Sequence, residues 1–147
     1  MTSKKSARES VLKSRGNAAQ RDKSSIITEA KNLVKSLHYV QCNVTKYERR
    51  EGAFALLTEA AIRLIKDFCQ ARACNGERRL AYIEEMIGEM GVIDAMFDEC
   101  IQAGIFGDSD KLRIARHLDR MDEDIMRWQL VTKGRAQSNS QDNKVNS

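Results

Sequence analysis

KLRIARHLDRMDEDIMRW, Lys111 to Trp128, decides what kind of fold this chain adopts. Ile114, Leu118, Met121, Ile125 and Trp128 recur at steps of four, three, four and three, the spacing of a helix that buries one seam inside a bundle. At about 100° per residue, Arg113, Arg116, Arg120 and Arg127 fall almost opposite that seam. The stretch is one amphipathic helix with an apolar inside and a cationic outside. Asp108 or Ser109 can cap its start, after the loop bracketed by Gly104 and Gly107, and its periodicity ends near Thr132.

Three further helical patterns precede it. Ile26, Ala30, Leu33, Leu37, Val40 and Val44 mark a first helix from about Ser25 to Cys42. Thr45-Lys46-Tyr47-Glu48 has the T-x-x-E form of a capping box, so a second helix starts at Lys46 and is expected to run unbroken to Ala73. Its seam is Phe54, Leu57, Ala61, Leu64 and Phe68, widened by Ile62, Ile65 and Cys69, while Glu59, Arg63, Lys66 and Gln70 form a polar row. Gly52 is a cost inside this helix that the pattern does not explain. Asn75-Gly76 ends it. The third helix, about Glu77 to Ala103, carries Ile83, Met86, Ile87, Met90, Ile93, Phe97, Cys100 and Ile101. It also has a row of small residues, Gly88, Gly91 and Ala95, where another helix is expected to approach closely, and it is flanked by Glu84, Glu85, Glu89, Asp94, Asp98 and Glu99. Four helices joined by short connections predict an all-α fold, an antiparallel up-down-up-down four-helix bundle.

Composition agrees. The 147 residues include no proline and eight glycines, so long uninterrupted helices are expected, and the length suits one domain. The net charge of +4 sits in the ends. Residues 1–24 carry seven Lys and Arg against two acids, residues 132–147 three against one, and the stretch between is slightly acidic. Both ends are polar and poor in large apolar residues, which predicts a flexible basic arm over 1–24, a bundle over 25–132 and a flexible polar tail over 133–147. No apolar run matches a signal peptide or a membrane span, and a soluble cytoplasmic protein is expected.

The residues that carry chemistry elsewhere are not arranged for it here. Cys42, Cys69, Cys74 and Cys100 form no CxxC pair and read as reduced thiols buried in helices, and His38 and His117 lack partners at metal-ligand spacing. No phosphate-cradling glycine loop, nucleophile triad or Glu-x-x-His pair is present, and adjacent acids such as Glu84 and Glu85 point in different directions on a helix. No enzyme, catalytic residue, metal or cofactor is expected. What remains is binding. Arg49, Arg50, Arg63, Lys66, Arg113, Arg116, Arg120, Arg127, Lys133 and Arg135 are candidate contacts to the phosphates of RNA or DNA, a mode that supplies affinity without reading sequence. The same cations also suit the solvated side of any soluble helix.

The succession AAIRLIKDFCQARACNGERRLAYIEEMIGEMGVIDAMFDECIQAGI, a short loop, and a last helix ending RWQLVTKGR resembles bacterial four-helix-bundle proteins over roughly residues 28–135. These are the ribosomal-RNA intervening-sequence proteins and the accessory variability determinant proteins of diversity-generating retroelements. The features shared are helix order and lengths, a late tryptophan (Trp128) and basic residues just after it (Lys133, Arg135). The resemblance implies a non-enzymatic partner of a reverse transcriptase in template-RNA-dependent mutagenic retrohoming, assembled as a homopentamer. It also implies a basic nucleic-acid surface inherited here by Arg113, Arg116, Arg120, Arg127, Lys133 and Arg135. The acidic third helix departs from that pattern, and the basic arm over 1–24 offers a substitute. The residues by themselves leave a second reading open: a helical oligomerisation or adaptor module that binds another protein through the Gly88, Gly91 and Ala95 row, without nucleic acid.

Overall fold

The computed structural model describes residues 26–145, with side chains as far as Gln137. The arm expected over residues 1–24 lies outside the described residues. Every described element is helical: α1 (Ile26–Val40), a 3-10 turn (Gln41–Asn43), α2 (Lys46–Arg50), α3 (Ala53–Ala73), α4 (Gly76–Gln102) and α5 (Asp108–Val145). The four long helices pack on one another around a single core.

The seams read from the sequence are that core. Leu33 and Leu37 of α1, Leu57 and Leu64 of α3, Ile83, Met86 and Ile93 of α4, and Ile114, Leu118, Met121 and Ile125 of α5 are at most 1% exposed. Each such side chain contributes roughly 1.5–3 kcal/mol by leaving water. Aromatic rings close both ends of the core. Phe106, in the loop before α5, lies 6.4 Å from Phe54 and 5.8 Å from Phe97, and Trp128 lies 5.4 Å from Phe68.

The second helix is not continuous. It breaks after Arg50, and Gly52 becomes the N-cap of α3. Thr45 accepts a hydrogen bond from the Glu48 N–H at 3.3 Å, the expected half of the capping box. The Glu48 carboxylate reaches forward, however, and accepts from the Phe54 N–H at 3.4 Å, so it satisfies one of the orphan donors at the start of α3. A β-carbon at residue 52 would fall onto that carboxylate, so a side chain there would push it away from the Phe54 N–H. At the other end of α4, Gly104 takes φ +70°. The Gly104 N–H donates to the Ile101 carbonyl and the Ile105 N–H to the Cys100 carbonyl, the paired bonds of a Schellman stop.

Two more expectations are corrected. The last helix does not end near Thr132: it continues to Val145, through most of the span expected as a flexible polar tail. Thr132 is nevertheless its last buried side chain among the described residues. Among the described residues no helix covers the Gly88 and Gly91 row, since a β-carbon at either position would meet nothing within 4 Å.

Candidate nucleic-acid interface

The ten cations proposed from the sequence divide into three groups. Some are engaged within the fold. Arg63 Nε lies 3.2 Å from both carboxylate oxygens of Glu89 on α4. Arg127 pairs with Asp124 at 3.6 Å, and Arg113 with Asp110 at 3.4 Å. Arg120 differs in kind: its Nη1 is 3.4 Å from Oε1 of Glu29, a carboxylate on α1 only 2% exposed. His117 Nδ1 stands 2.8 Å from the other oxygen of the same group, a distance at which the imidazole N–H donates to it. His117 and Arg120 thus compensate a charge that would otherwise be buried at a cost of several kcal/mol. Part of the arginine stripe is therefore not spare.

A second group begins where α1 ends. Arg113 also lies over the ring of Tyr39 at 5.5 Å, where the cation meets the negative face of the aromatic system. Tyr39, one residue before the end of α1, is 70% exposed; a short way along the chain follow exposed Tyr47 and, in the last turn of α2, exposed Arg49 and Arg50. Sequence reasoning missed both tyrosines because it tracked charge alone. Aromatic rings on a surface interleaved with arginines were the available signal. Among the described residues, no acid lies within ion-pair distance of Arg49, Arg50, Arg116 or Arg135. Lys133 is likewise unpaired, but at 100° per residue it stands about 100° around α5 from Arg116, beside Met126 and Leu130 rather than on the arginine stripe.

The third group lines a cleft of about 320 Å³ between α3 and α4, formed by Arg63, Lys66, Asp67, Glu85, Gly88 and Glu89. Asp67 is only 9% exposed. Burial raises its carboxyl from the usual value near 3.8 to about 6, with the negative charge of Glu85, a side-chain hydrogen bond to it, and the charge of Glu89 pushing the same way; Lys66 opposes. The α3–α4 packing thus brings together three acids from two helices that no spacing within one helix could reveal. Among the described residues, no group of His, Cys, Asp and Glu is arranged to hold a metal ion.

Cys100 is buried, and burial pushes its thiol up to about 12, leaving it inert at neutral pH. Cys42 and Cys69 are exposed, contrary to the expectation of buried thiols, because their positions fall on the 3-10 turn and the outer side of α3. Arg79 was not singled out either, yet it donates to the Ala71 carbonyl at 3.0 Å and stacks over Trp128 at 5.3 Å, closing the C-terminus of α3. No described helix is long and apolar enough to cross a membrane. The chain matches no protein-family model, no curated protein and no solved structure.

Proposed function

We propose that this chain is a non-enzymatic nucleic-acid-binding protein. By its resemblance to the accessory variability determinant family, it would serve a reverse transcriptase in template-RNA-dependent mutagenic retrohoming, in the cytoplasm, as a homo-oligomer with five copies by that resemblance. The observation that carries the reading is the corner where Arg113 lies over exposed Tyr39, with exposed Tyr47, Arg49 and Arg50 following along the chain. Stacking faces next to cations are what a splayed single strand needs, since every base has a face to stack and every phosphate a charge to neutralise. Arg116 extends the cationic surface along α5, and Arg135 adds a further charge beyond the core.

An antiparallel up-down-up-down topology belongs to the same proposal. It is supported by contacts in which residue numbers rise on one helix as they fall on its neighbour: Arg63–Glu89 and Ala71–Arg79 for α3 and α4, and, for α4 and the segment that leads into and along α5, Phe97–Phe106 and Arg79–Trp128.

The test is binding of a labelled single-stranded RNA across a salt series. Changing Arg49, Arg50, Arg116 and Arg135 together to Gln should weaken binding and flatten the slope of log affinity against log salt by roughly 0.7 per lost contact. Tyr39→Ala should weaken binding by about 1–3 kcal/mol with the slope kept. A wild-type chain that does not bind RNA at low salt defeats the proposal. It would favour the second reading, a helical adaptor for another protein, for which the specific observation is the uncovered Gly88 and Gly91 surface of α4.

A further inference from the structure

Charge is segregated along this chain. Between Arg79 and Lys111 there is no lysine or arginine and there are eight acids; between Asp124 and Asp142 there is no acid at all. The first stretch is most of α4, the loop after it and the first turn of α5, and the second is the outer part of α5.

Each stretch presents an uncovered surface. On α4, Gly88 and Val92 follow one another at a four-residue step beside the acidic cleft, Val92 is 40% exposed, and among the described residues nothing stands over Gly88. Exposed Ile62 lies next to Arg63 on the facing helix. The cleft holds Asp67, Glu85 and Glu89 against Arg63 and Lys66, with Arg63 already bonded to Glu89, so one acid is in excess. On α5, Met126, Leu130 and Lys133 share one helical row: two exposed apolar side chains, Leu130 being 68% exposed, followed by one ammonium. One surface offers small and apolar residues beside one surplus negative charge, and the other offers apolar residues beside one positive charge.

They do not meet within one molecule. α4 begins at Gly76, three residues before the Arg79 that stacks on Trp128, whereas Lys133 lies five residues beyond Trp128. At 1.5 Å per residue, α5 carries Lys133 about 7 Å past that stack, beyond the start of α4 and away from its own cleft.

We infer that the Met126, Leu130 and Lys133 row of one copy docks on the α3–α4 cleft of a second copy, with the Lys133 ammonium seated at Asp67 and Glu85 and Leu130 packed over Gly88 and Val92. The contact is head-to-tail, so repeated copies close into a ring or extend as a filament. It leaves the Tyr39 corner and the arginine stripe uncovered, because Lys133 and Arg116 face different ways on α5. The inference rests on the reading that the chain assembles with itself, and it names the surface through which it does so.

The test uses the full chain, with its mass followed by light scattering over a concentration series at low salt. Lys133→Glu and Glu85→Lys, both at exposed positions, should each weaken self-association by about tenfold or more. The combined variant should restore it, since the pair is then present with its signs exchanged. Leu130→Ser should weaken association with both charges intact. A wild-type chain that stays monomeric overturns this inference together with the assembly reading. A wild-type assembly that ignores both reversals, or that the combined variant fails to restore, overturns this contact alone and leaves assembly through another face.

Discussion

At the scale of single residues, Asp67 shows how packing creates chemistry that a helix by itself does not have. In the unfolded chain its carboxyl ionises near 3.8, whereas in the folded chain burial and the neighbouring Glu85 and Glu89 hold the proton until about 6. Between those values the folded state binds more protons than the unfolded one. Asp67's contribution to stability is therefore fully present below about 3.8 and is lost as pH rises through about 6. Asp67→Asn should stabilise the protein at neutral pH, by about 1 kcal/mol once screening in an open cleft is allowed for. The gain should vanish below about pH 4. Urea titrations at several pH values check this, and a gain that grows as pH falls would contradict the assignment. Neither Asp67 nor Glu85 was legible as a pair beforehand, since they sit on different helices and each reads locally as one more solvated acid.

At the scale of elements, the sequence was most informative where burial is periodic. Every position of the α1 seam, and the α5 seam from Ile114 to Ile125, is buried as the spacing predicts. The end foreseen for α5 at Thr132 is where its burial stops, not where its backbone stops being helical. Periodicity reports what a helix packs against, and the hydrogen-bond ladder continues without a partner. The link from α1 to α5 was hidden for another reason: Glu29 and His117 are 88 positions apart, and a histidine on a charged helix carries no local sign of the carboxylate it will meet. That link predicts a difference between the carboxylate that anchors it and an arginine of the same helix that lies outside it. Glu29→Ala should destabilise the bundle by about 2 kcal/mol, because His117 and Arg120 lose the group they were packed to meet, whereas Arg116→Ala should change stability by less than about 0.5 kcal/mol. Chemical denaturation of the two variants decides it; equal effects would mean that the Glu29 cluster does not hold α1 in place.

At the scale of the whole molecule, the bundle and its core were readable from one-dimensional pattern, while the candidate site was readable only as a supply of cations. Which of those cations are spent within the fold depends on acids brought in by other helices: Glu89 for Arg63 and Glu29 for Arg120. The continuation of α5 past Thr132 gives the molecule two regimes of time. Along the seam, amide hydrogens open to solvent only when the core comes apart, so their exchange follows global unfolding. From Lys133 to Gln137 no described side chain is buried, and a helix without neighbours is marginal in water. Amide exchange should therefore accelerate by orders of magnitude within about two turns of Ile125. Whatever settles on the outer half of α5 should slow exchange there and leave the seam unchanged, so the helix that holds the bundle together also registers, at its far end, whether the protein is alone.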